Sequence, residues 1–236
     1  MSQAQFTAVP VERYHEVVVR QIARHIVSGT FSPGDELPSE KSLMSEFGVS
    51  RAVVREALRS LHQSGLINLR QGRRTQVNSE TRWNLLDPIV LIAFRDEDRV
   101  IPLLRDLAWI RAVLEPQIAE EAARGVTPEL RSDLEESLER MRELLHDNEA
   151  FYLEDQNFHL LLARSTGNLV LERLMRVLTH LFNVSRPPVL ASSGSPRGSL
   201  EGHEDIAREV SAGDPEGARQ AMQRHMDWRA PQLQEE

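Results

Sequence analysis

Cysteine is absent from the 236-residue chain, which excludes disulfide bonds, zinc ribbons and cysteine nucleophiles. Aromatic residues make up only 5% of the sequence and glycine occurs 12 times, a composition that argues against an all-β sandwich. No apolar run reaches the roughly 20 residues that cross a bilayer. The first ten residues lack the basic and apolar blocks of a signal peptide. We therefore expect a cytoplasmic protein without a membrane partner, beginning with a disordered lead over residues 1–10.

Lysine is almost missing too, since Lys41 is the only one and arginine supplies the other strong bases. The formal net charge of −8 at first argues against nucleic acid. The charge is uneven, however, because residues 1–80 hold ten Lys and Arg against eight Asp and Glu, whereas the remainder holds 18 against 28. A mildly basic head on an acidic body is typical of a protein whose head alone meets phosphates. The chain length favours two domains.

The N-terminal head has the pattern of a helix-turn-helix. Apolar residues at helical spacing predict a first helix over residues 12–28, and Ser39 is placed to cap a short second helix. Gly48 supplies a left-handed stop, and Ser50 caps a third helix. One face of that third helix is apolar, and another carries Arg51, Arg55 and Arg59. The tight glycine turn makes a helix-turn-helix, and the arginine forks match guanine edges and phosphate oxygens.

The hydrophobic period changes after Gly65, and residues 66–77 indicate a β-hairpin. The tip of this hairpin is basic and consists of Gln71, Gly72 and Arg73. A hairpin that directly follows a recognition helix is a wing, which reaches the DNA backbone or the minor groove. The spaced arginines alone are equally well explained as a solvated helix face. The glycine turn before them and the basic hairpin after them favour contact with double-stranded DNA.

The rest of the chain has helical periodicity without strand alternation. Gly125 ends a long helix, residues 187–198 form a loop rich in Pro, Gly and Ser, and Gly213 begins a tight turn between the last two helices. We therefore predict a mainly α fold, with an N-terminal winged helix-turn-helix and a C-terminal antiparallel all-helical bundle. The predicted boundaries are 11–78 for the winged helix-turn-helix, 79–97 for a linker with a linker helix, and 98–236 for the bundle.

Four residues of the predicted bundle have the chemistry of metal ligands. Asp155 and His159 are four positions apart and therefore project from one face of a helix. His203 lies ten residues before Gly213 and His225 twelve after it, so the two histidines sit at similar heights on antiparallel helices. One carboxylate and three imidazoles suit Zn²⁺, Ni²⁺, Mn²⁺ or Fe²⁺. Taken singly, each histidine is better explained as a core or surface residue, so the hypothesis depends on the set.

Three segments of the head resemble the signature of GntR-superfamily regulators: Pro33–Lys41, Phe47–Arg51 and Val54–Leu58. The match continues through the wing to Val77. The resemblance implies operator contacts by Lys41, Ser50, Arg51, Arg55, Gln71 and Gly72. The chain departs from the family pattern at Lys41, where arginine is common, and at Arg74, where the wing often has glycine. A bidentate contact is therefore less expected at position 41, and the wing tip is expected to be more basic than usual.

The region 98–225 resembles the FCD effector-binding domain of the FadR-type GntR subgroup. The segments that carry this resemblance are Arg111–Pro116, Asp155–His159, Gly167–Asn168, His203–Ile206, Gly213–Asp214 and Met222–His225. It implies a divalent metal held by Asp155, His159, His203 and His225, with an organic acid completing the coordination. Arg111 matches a position that often pairs with the carboxylate of that acid, but Arg111 and Glu115 are also spaced for an intrahelical ion pair. Trp83–Pro88 resembles the linker helix of members that regulate sugar-acid catabolism.

The leading interpretation is a ligand-responsive repressor that acts as a homodimer on a palindromic operator. A small carboxylic acid, such as a sugar acid, would release it. One alternative is a metal-responsive regulator, in which the metal itself is the signal. A second alternative is a metalloenzyme whose Asp/His site activates water. Four protein ligands and a carboxylate leave little room for a nucleophile, and no general base is obvious, so we predict that the chain is not an enzyme.

Overall fold

The computed structural model of the chain describes residues 14–69, 74–185 and 195–229. The chain divides into two compact units, Met1–Arg99 and Val100–Glu236. The predicted lead over 1–10 and the predicted wing tip at 71–73 lie outside the described residues. Within the described ranges, no helix has both the length and the apolar character needed to cross a bilayer.

The first unit comprises, in chain order, α1 (Tyr14–Val27), α2 (Glu40–Phe47), α3 (Arg51–Gln63), β1 (Ile67–Asn68), β2 (Gln76–Val77), a 3₁₀ turn (Glu80–Arg82) and α4 (Pro88–Asp96). The predicted helix caps are present. The Ser39 hydroxyl accepts a hydrogen bond from the Ser42 amide at 3.2 Å, and Ser50 accepts one from the Val53 amide at 3.4 Å. Gly48 takes a left-handed conformation with φ 64°, which ends α2 and lets the chain turn into α3.

The wing is a short antiparallel pair of strands. Ile67 lies opposite Val77 and Asn68 opposite Gln76. Ile67 and Val77 are both buried and contribute to the core of the unit, whereas Gln76 beside Val77 is exposed. Glu36 forms an additional antiparallel bridge to Gln76 and ties the connector before α2 to this sheet. The predicted hairpin is therefore present, with shorter strands than the sequence pattern suggests.

The prediction that Trp83–Pro88 is a linker helix is wrong in position. Residues 83–87 form a turn, and the helix α4 begins only at Pro88. The Asp87 carboxylate caps it by accepting a hydrogen bond from the Ile89 amide at 2.8 Å. Trp83 instead packs edge-on against Phe94 with ring centroids 5.9 Å apart. An aspartate followed by proline starts a helix at the proline, which explains the shift.

The second unit is all-helical throughout its described residues and comprises α5 (Ile101–Arg124), α6 (Pro128–Glu143), α7 (Asn148–Ser165), α8 (Leu169–Ser185), α9 (Pro196–Ala212) and α10 (Pro215–Arg229). The helix α10 packs along α5 and α9, and α7 packs against α5, α6 and α8. The predicted fold class, a mainly α protein with a winged helix-turn-helix and a helical bundle, is confirmed.

The predicted loop over 187–198 ends earlier than expected. The helix α9 begins at Pro196, and the Ser195 hydroxyl accepts a hydrogen bond from the Gly198 amide at 3.3 Å. As at Asp87 and Pro88, the residue before the proline caps the helix and the proline is its first residue. Residues 187–194 of the predicted loop lie outside the described residues.

Candidate functional site

The structure brings together the four candidate metal ligands. Asp155 and His159 lie on α7, His203 on α9 and His225 on α10. Each offers one ligand atom, and these four atoms all lie within 4.8 Å of one another. The exposed fractions of the four residues are 1%, 1%, 0% and 3%, so the cluster lies inside the bundle. Burying polar or charged side chains destabilises a folded protein unless they hydrogen-bond to each other or bind a common ion.

Two features of the last two helices place His203 and His225 in this cluster. Gly213 has φ 68°, which closes the turn between α9 and α10 and makes the two helices antiparallel. Gly202 has no side chain where α10 approaches, and a methyl group there would overlap the imidazole of His225. The same helix face has Gly198 against the ring of Trp228. Helical spacing from Gly213 predicts the heights of the histidines, but the close approach at Gly202 is seen only in the folded bundle.

Hydrogen bonds already orient part of the cluster. The hydroxyl of Ser199 donates to Oδ1 of Asp155 at 2.9 Å. Nε2 of His203 lies 3.2 Å from Nε2 of His159 and 3.5 Å from Oδ1 of Asp155. Sequence reasoning missed Ser199, although its position four residues before His203 places it on the same face of α9 as that ligand.

Glu115 on α5 is a second residue of the candidate site that sequence reasoning missed. One carboxylate oxygen, Oε2, contacts Nδ1 of His159, and the other, Oε1, accepts a hydrogen bond from Nε of Arg111. Burial raises the pKa of Glu115, but its close contacts with the Arg111 guanidinium and the His159 imidazole outweigh burial and hold that pKa at about 2. Glu115 is therefore a carboxylate at neutral pH. The spacing of Arg111 and Glu115 suggested their ion pair, but not the contact with His159.

This arrangement fits a divalent metal. A histidine whose Nδ1 faces a carboxylate carries its proton there, which leaves the lone pair of Nε2 for a metal ion. For His159 that atom points at Nε2 of His203, and two imidazole nitrogens converging beside a carboxylate form a donor set typical of Zn²⁺ and similar cations. The pairing of His159 with Glu115 has the carboxylate–histidine form that orients metal ligands in proteins.

Arg111, the candidate effector ligand, is 4% exposed and pairs with Glu115 on its own helix. The ion pair that the sequence left open as an alternative is therefore present, and it is buried rather than solvated. The guanidinium carbon also lies 5.7 Å from the centroid of the Phe182 ring. The structure does not test contact between Arg111 and an effector, which stays a prediction. Elsewhere in the bundle, the Asn157 amide donates to Glu154, and the buried Thr179 hydroxyl has no hydrogen-bond partner among the described residues.

The candidate DNA-binding residues that the structure describes lie on the surface of the first unit. Lys41, Ser50, Arg51 and Arg55 are all exposed. Nε of Arg51 lies 2.9 Å from a carboxylate oxygen of Glu40, which fixes the arginine beside the start of α3. Gln71, Gly72 and Arg73 lie outside the described residues. Arg74, just after them, is exposed and pairs with Glu36 at 2.9 Å.

Two family models match the chain, one in each unit. Residues 14–77 match the model described as "Bacterial regulatory proteins, gntR family". Residues 106–227 match the FCD domain. Both candidate sites lie inside these matches, since α2, α3 and the wing fall in the first and all four candidate metal ligands fall in the second.

Curated relatives and solved structures agree. The chain is 34% identical to the HTH-type transcriptional regulator Mce2R of Mycobacterium tuberculosis, over 88% of this chain and 86% of the relative. It is 33% identical to the galactonate operon transcriptional repressor of Escherichia coli K12, over 70% and 72%. It is also similar to the solved structure of a GntR protein of Streptococcus agalactiae, with 27% identity, a TM-score of 0.51, and coverage of 92% of this chain and 99% of that one.

Proposed function

The chain belongs to the GntR family of bacterial transcription regulators and carries an FCD domain, and from this premise we propose that it is a repressor that a small carboxylic acid releases from its operator. The acid binds at a divalent metal ion held by Asp155, His159, His203 and His225. The ion supplies positive charge and open coordination positions for a carboxylate. The observation that carries this proposal is the convergence of four buried ligand atoms within 4.8 Å.

The charges of the buried site favour an anionic ligand. Asp155 and Glu115 contribute two negative charges and Arg111 one positive charge, so a dication leaves the site with one net positive charge. A pocket of that sign inside an acidic domain selects small anions. One relative is named as a galactonate operon repressor, and galactonate is a hydroxycarboxylate, which supports a sugar acid as the effector.

A metal-responsive regulator is the second candidate, and one observation favours it. The four metal ligands converge without Arg111, whose Nε already donates to Glu115. If the metal alone changes the affinity for the operator, no acid is needed. Titrating the chelator-treated protein with metal in the absence of any carboxylate separates the two candidates.

We expect a sugar acid to raise the melting temperature of the metal-loaded full-length protein and to release a labelled operator. A ligand shifts the DNA-binding equilibrium only by its differential affinity for the DNA-binding and released states of the protein. The acid should therefore stabilise the protein and release the operator over the same range of acid concentration. The measurement is a thermal-shift screen of hydroxycarboxylates, followed by fluorescence anisotropy of the operator. The matched variant is Arg111→Lys, which keeps the charge beside Glu115 but loses the planar fork that grips a carboxylate, and it should respond more weakly. Failure of every carboxylate to stabilise the metal-loaded protein would refute the acid as the signal.

We also propose that the chain binds DNA as a homodimer, with the winged helix-turn-helix over residues 11–78, a linker over 79–97 and the bundle over 98–236. A single head contacts few phosphates, and helix-turn-helix proteins usually bind as dimers to two symmetric half-sites. The proposed DNA-binding residues are Lys41, Ser50, Arg51, Arg55, Gln71, Gly72 and Arg73. Of the two arginines at the start of α3, Arg51 is paired with Glu40, whereas Arg55 has no ion pair with any described residue.

Replacing Arg55 or Arg51 by alanine should each weaken specific operator binding by about 1–3 kcal/mol, because each removes a charged fork at the exposed start of the recognition helix. The control is Arg176→Ala, which removes the same charge from an exposed ion pair of the second unit. Lys41→Ala should lower affinity for all sequences alike and flatten its salt dependence. The measurement is anisotropy on the operator and on a scrambled duplex, with light scattering expected to show two chains per operator. Arginine variants that bind as tightly as the control would show that α3 is not the recognition helix.

A further inference from the structure

A buried chain of contacts runs from Arg111 through Glu115 to the candidate metal ligand His159. The three residues are 4%, 1% and 1% exposed, so water does not compete for the contacts between them. Each oxygen of the Glu115 carboxylate faces a different partner, Oε1 the guanidinium of Arg111 and Oε2 the imidazole of His159. Arg111 and Glu115 lie on α5, whereas His159 lies on α7, so the carboxylate links two helices.

The chemistry of the two partners fixes which atom can donate in each contact. A guanidinium has only donors, so Oε1 must accept from Arg111. A carboxylate has only acceptors, so Oε2 favours the form of His159 that carries its proton on Nδ1. In the neutral ring, Nε2 then bears the lone pair, and it is this atom that lies 3.2 Å from Nε2 of His203. The protonation form of His159 is therefore set outside the cluster of metal ligands, on a helix that contributes none of them.

We propose that Glu115 is the positioning residue of the metal site: it holds His159 in the tautomer that binds metal, and Arg111 fixes the carboxylate in the orientation that does so. This inference rests on the proposed metal site and deepens it. Glu115 does not touch the ion. It acts through His159, and its own orientation is set by Arg111, so a residue predicted as an effector ligand also supports metal binding.

The substitution Glu115→Gln tests this directly, because an amide has one acceptor and one donor. Arg111 offers only donors, so it donates a hydrogen bond to the amide oxygen of the new glutamine. The amide NH₂ group is then turned towards Nδ1 of His159. Nδ1 must then accept, the proton moves to Nε2, and the ligating lone pair is lost. We expect Glu115→Gln to weaken Zn²⁺ binding by at least the 10–100-fold that is typical when an outer partner of a metal ligand is lost. The measurement is calorimetric titration of chelator-treated full-length protein with Zn²⁺ alone.

Two further variants make the test specific. Glu120→Gln removes a carboxylate from another i, i+4 pair with arginine on the same helix, Glu120 with Arg124, and should leave Zn²⁺ affinity unchanged. The double variant Arg111→Met with Glu115→Gln leaves no buried unpaired charge and frees the amide oxygen to turn towards His159. It should therefore bind Zn²⁺ more tightly than Glu115→Gln alone. A double variant that is no better, or a Glu115→Gln variant that binds as well as wild type, would overturn the proposal.

Nitrogen chemical shifts of the imidazole rings provide a readout that a purely structural role would not move. In the metal-free wild type, Nδ1 of His159 should be protonated and Nε2 not, and Glu115→Gln should reverse this. An unchanged tautomer in the variant would contradict the role of Glu115. If wild type binds no Zn²⁺ while the tautomer reverses as expected, the proposed metal-dependent function fails but the positioning of His159 by Glu115 stands.

Discussion

The double substitution His203→Ala with His225→Ala is expected to abolish stoichiometric metal binding. It removes two of four converging ligands, and the remaining pair, Asp155 and His159, lies on one helix and cannot surround an ion. Binding to the folded state alone stabilises a protein by mass action, by about 4 kcal/mol when the free ligand is a thousandfold above its dissociation constant. The variant should lose this metal-dependent increase in unfolding free energy.

Elemental analysis of protein purified without chelator measures the bound metal, and chemical unfolding with and without added Zn²⁺ measures the stabilisation. The comparison is made on the metal-induced difference, since deleting two buried imidazoles also costs packing energy. The matched control is His180→Ala, an exposed histidine on α8, which should retain both metal and stabilisation. Because the ligands must be deprotonated to bind, wild-type affinity should also fall on acidification. Wild-type protein without stoichiometric metal would rule out the site.

Arg111→Ala is expected to destabilise the folded protein by about 3–5 kcal/mol, because it leaves the carboxylate of Glu115 buried and without its guanidinium partner. The reference substitution is Arg124→Ala, from the i, i+4 ion pair with Glu120 on the same helix. The side chain of Arg124 is 53% exposed and its charge is solvated, so that substitution should cost far less than the loss of Arg111.

Urea unfolding of chelator-treated protein measures both costs without a contribution from metal. Equal and small losses for the two arginine variants would show that Arg111 is held for a ligand rather than for Glu115. The expected loss also decides the design of effector experiments. An alanine at position 111 that fails to respond to an acid would report instability as well as lost contact, which is why Arg111→Lys is the better variant for that purpose.

The family resemblance that the motifs carry is confirmed by both domain matches, and the expectation that the chain is a regulator rather than an enzyme is confirmed with it. Local sequence signals were sufficient for most helix ends. Ser39 and Ser50 each accept the capping hydrogen bond that their position predicts. Two helix starts were misplaced, and in both the helix begins at a proline: the start at Pro88 was predicted too early and the start at Pro196 too late.

The candidate metal ligands could be selected in advance because their spacing is a property of helices. Four residues along α7 put Asp155 and His159 on one face, and the Gly213 turn sets the heights of His203 and His225. Their roles in binding metal, like those of the DNA-contacting residues, stay predictions. The spacing of residues along one helix, however, does not reveal which other helices that helix packs against.

The sequence by itself determined the elements of this protein: the caps, the glycine turns, the apolar faces and the arginines of α3, all of which depend on residues within about one helical turn of each other. Only the tertiary structure decided the surroundings of the candidate ligands. Ser199 reaches Asp155 across 44 positions of the chain, and Glu115 reaches His159 from another helix. Such contacts are set by how whole helices pack, and packing depends on the sum of many buried surfaces rather than on any local pattern.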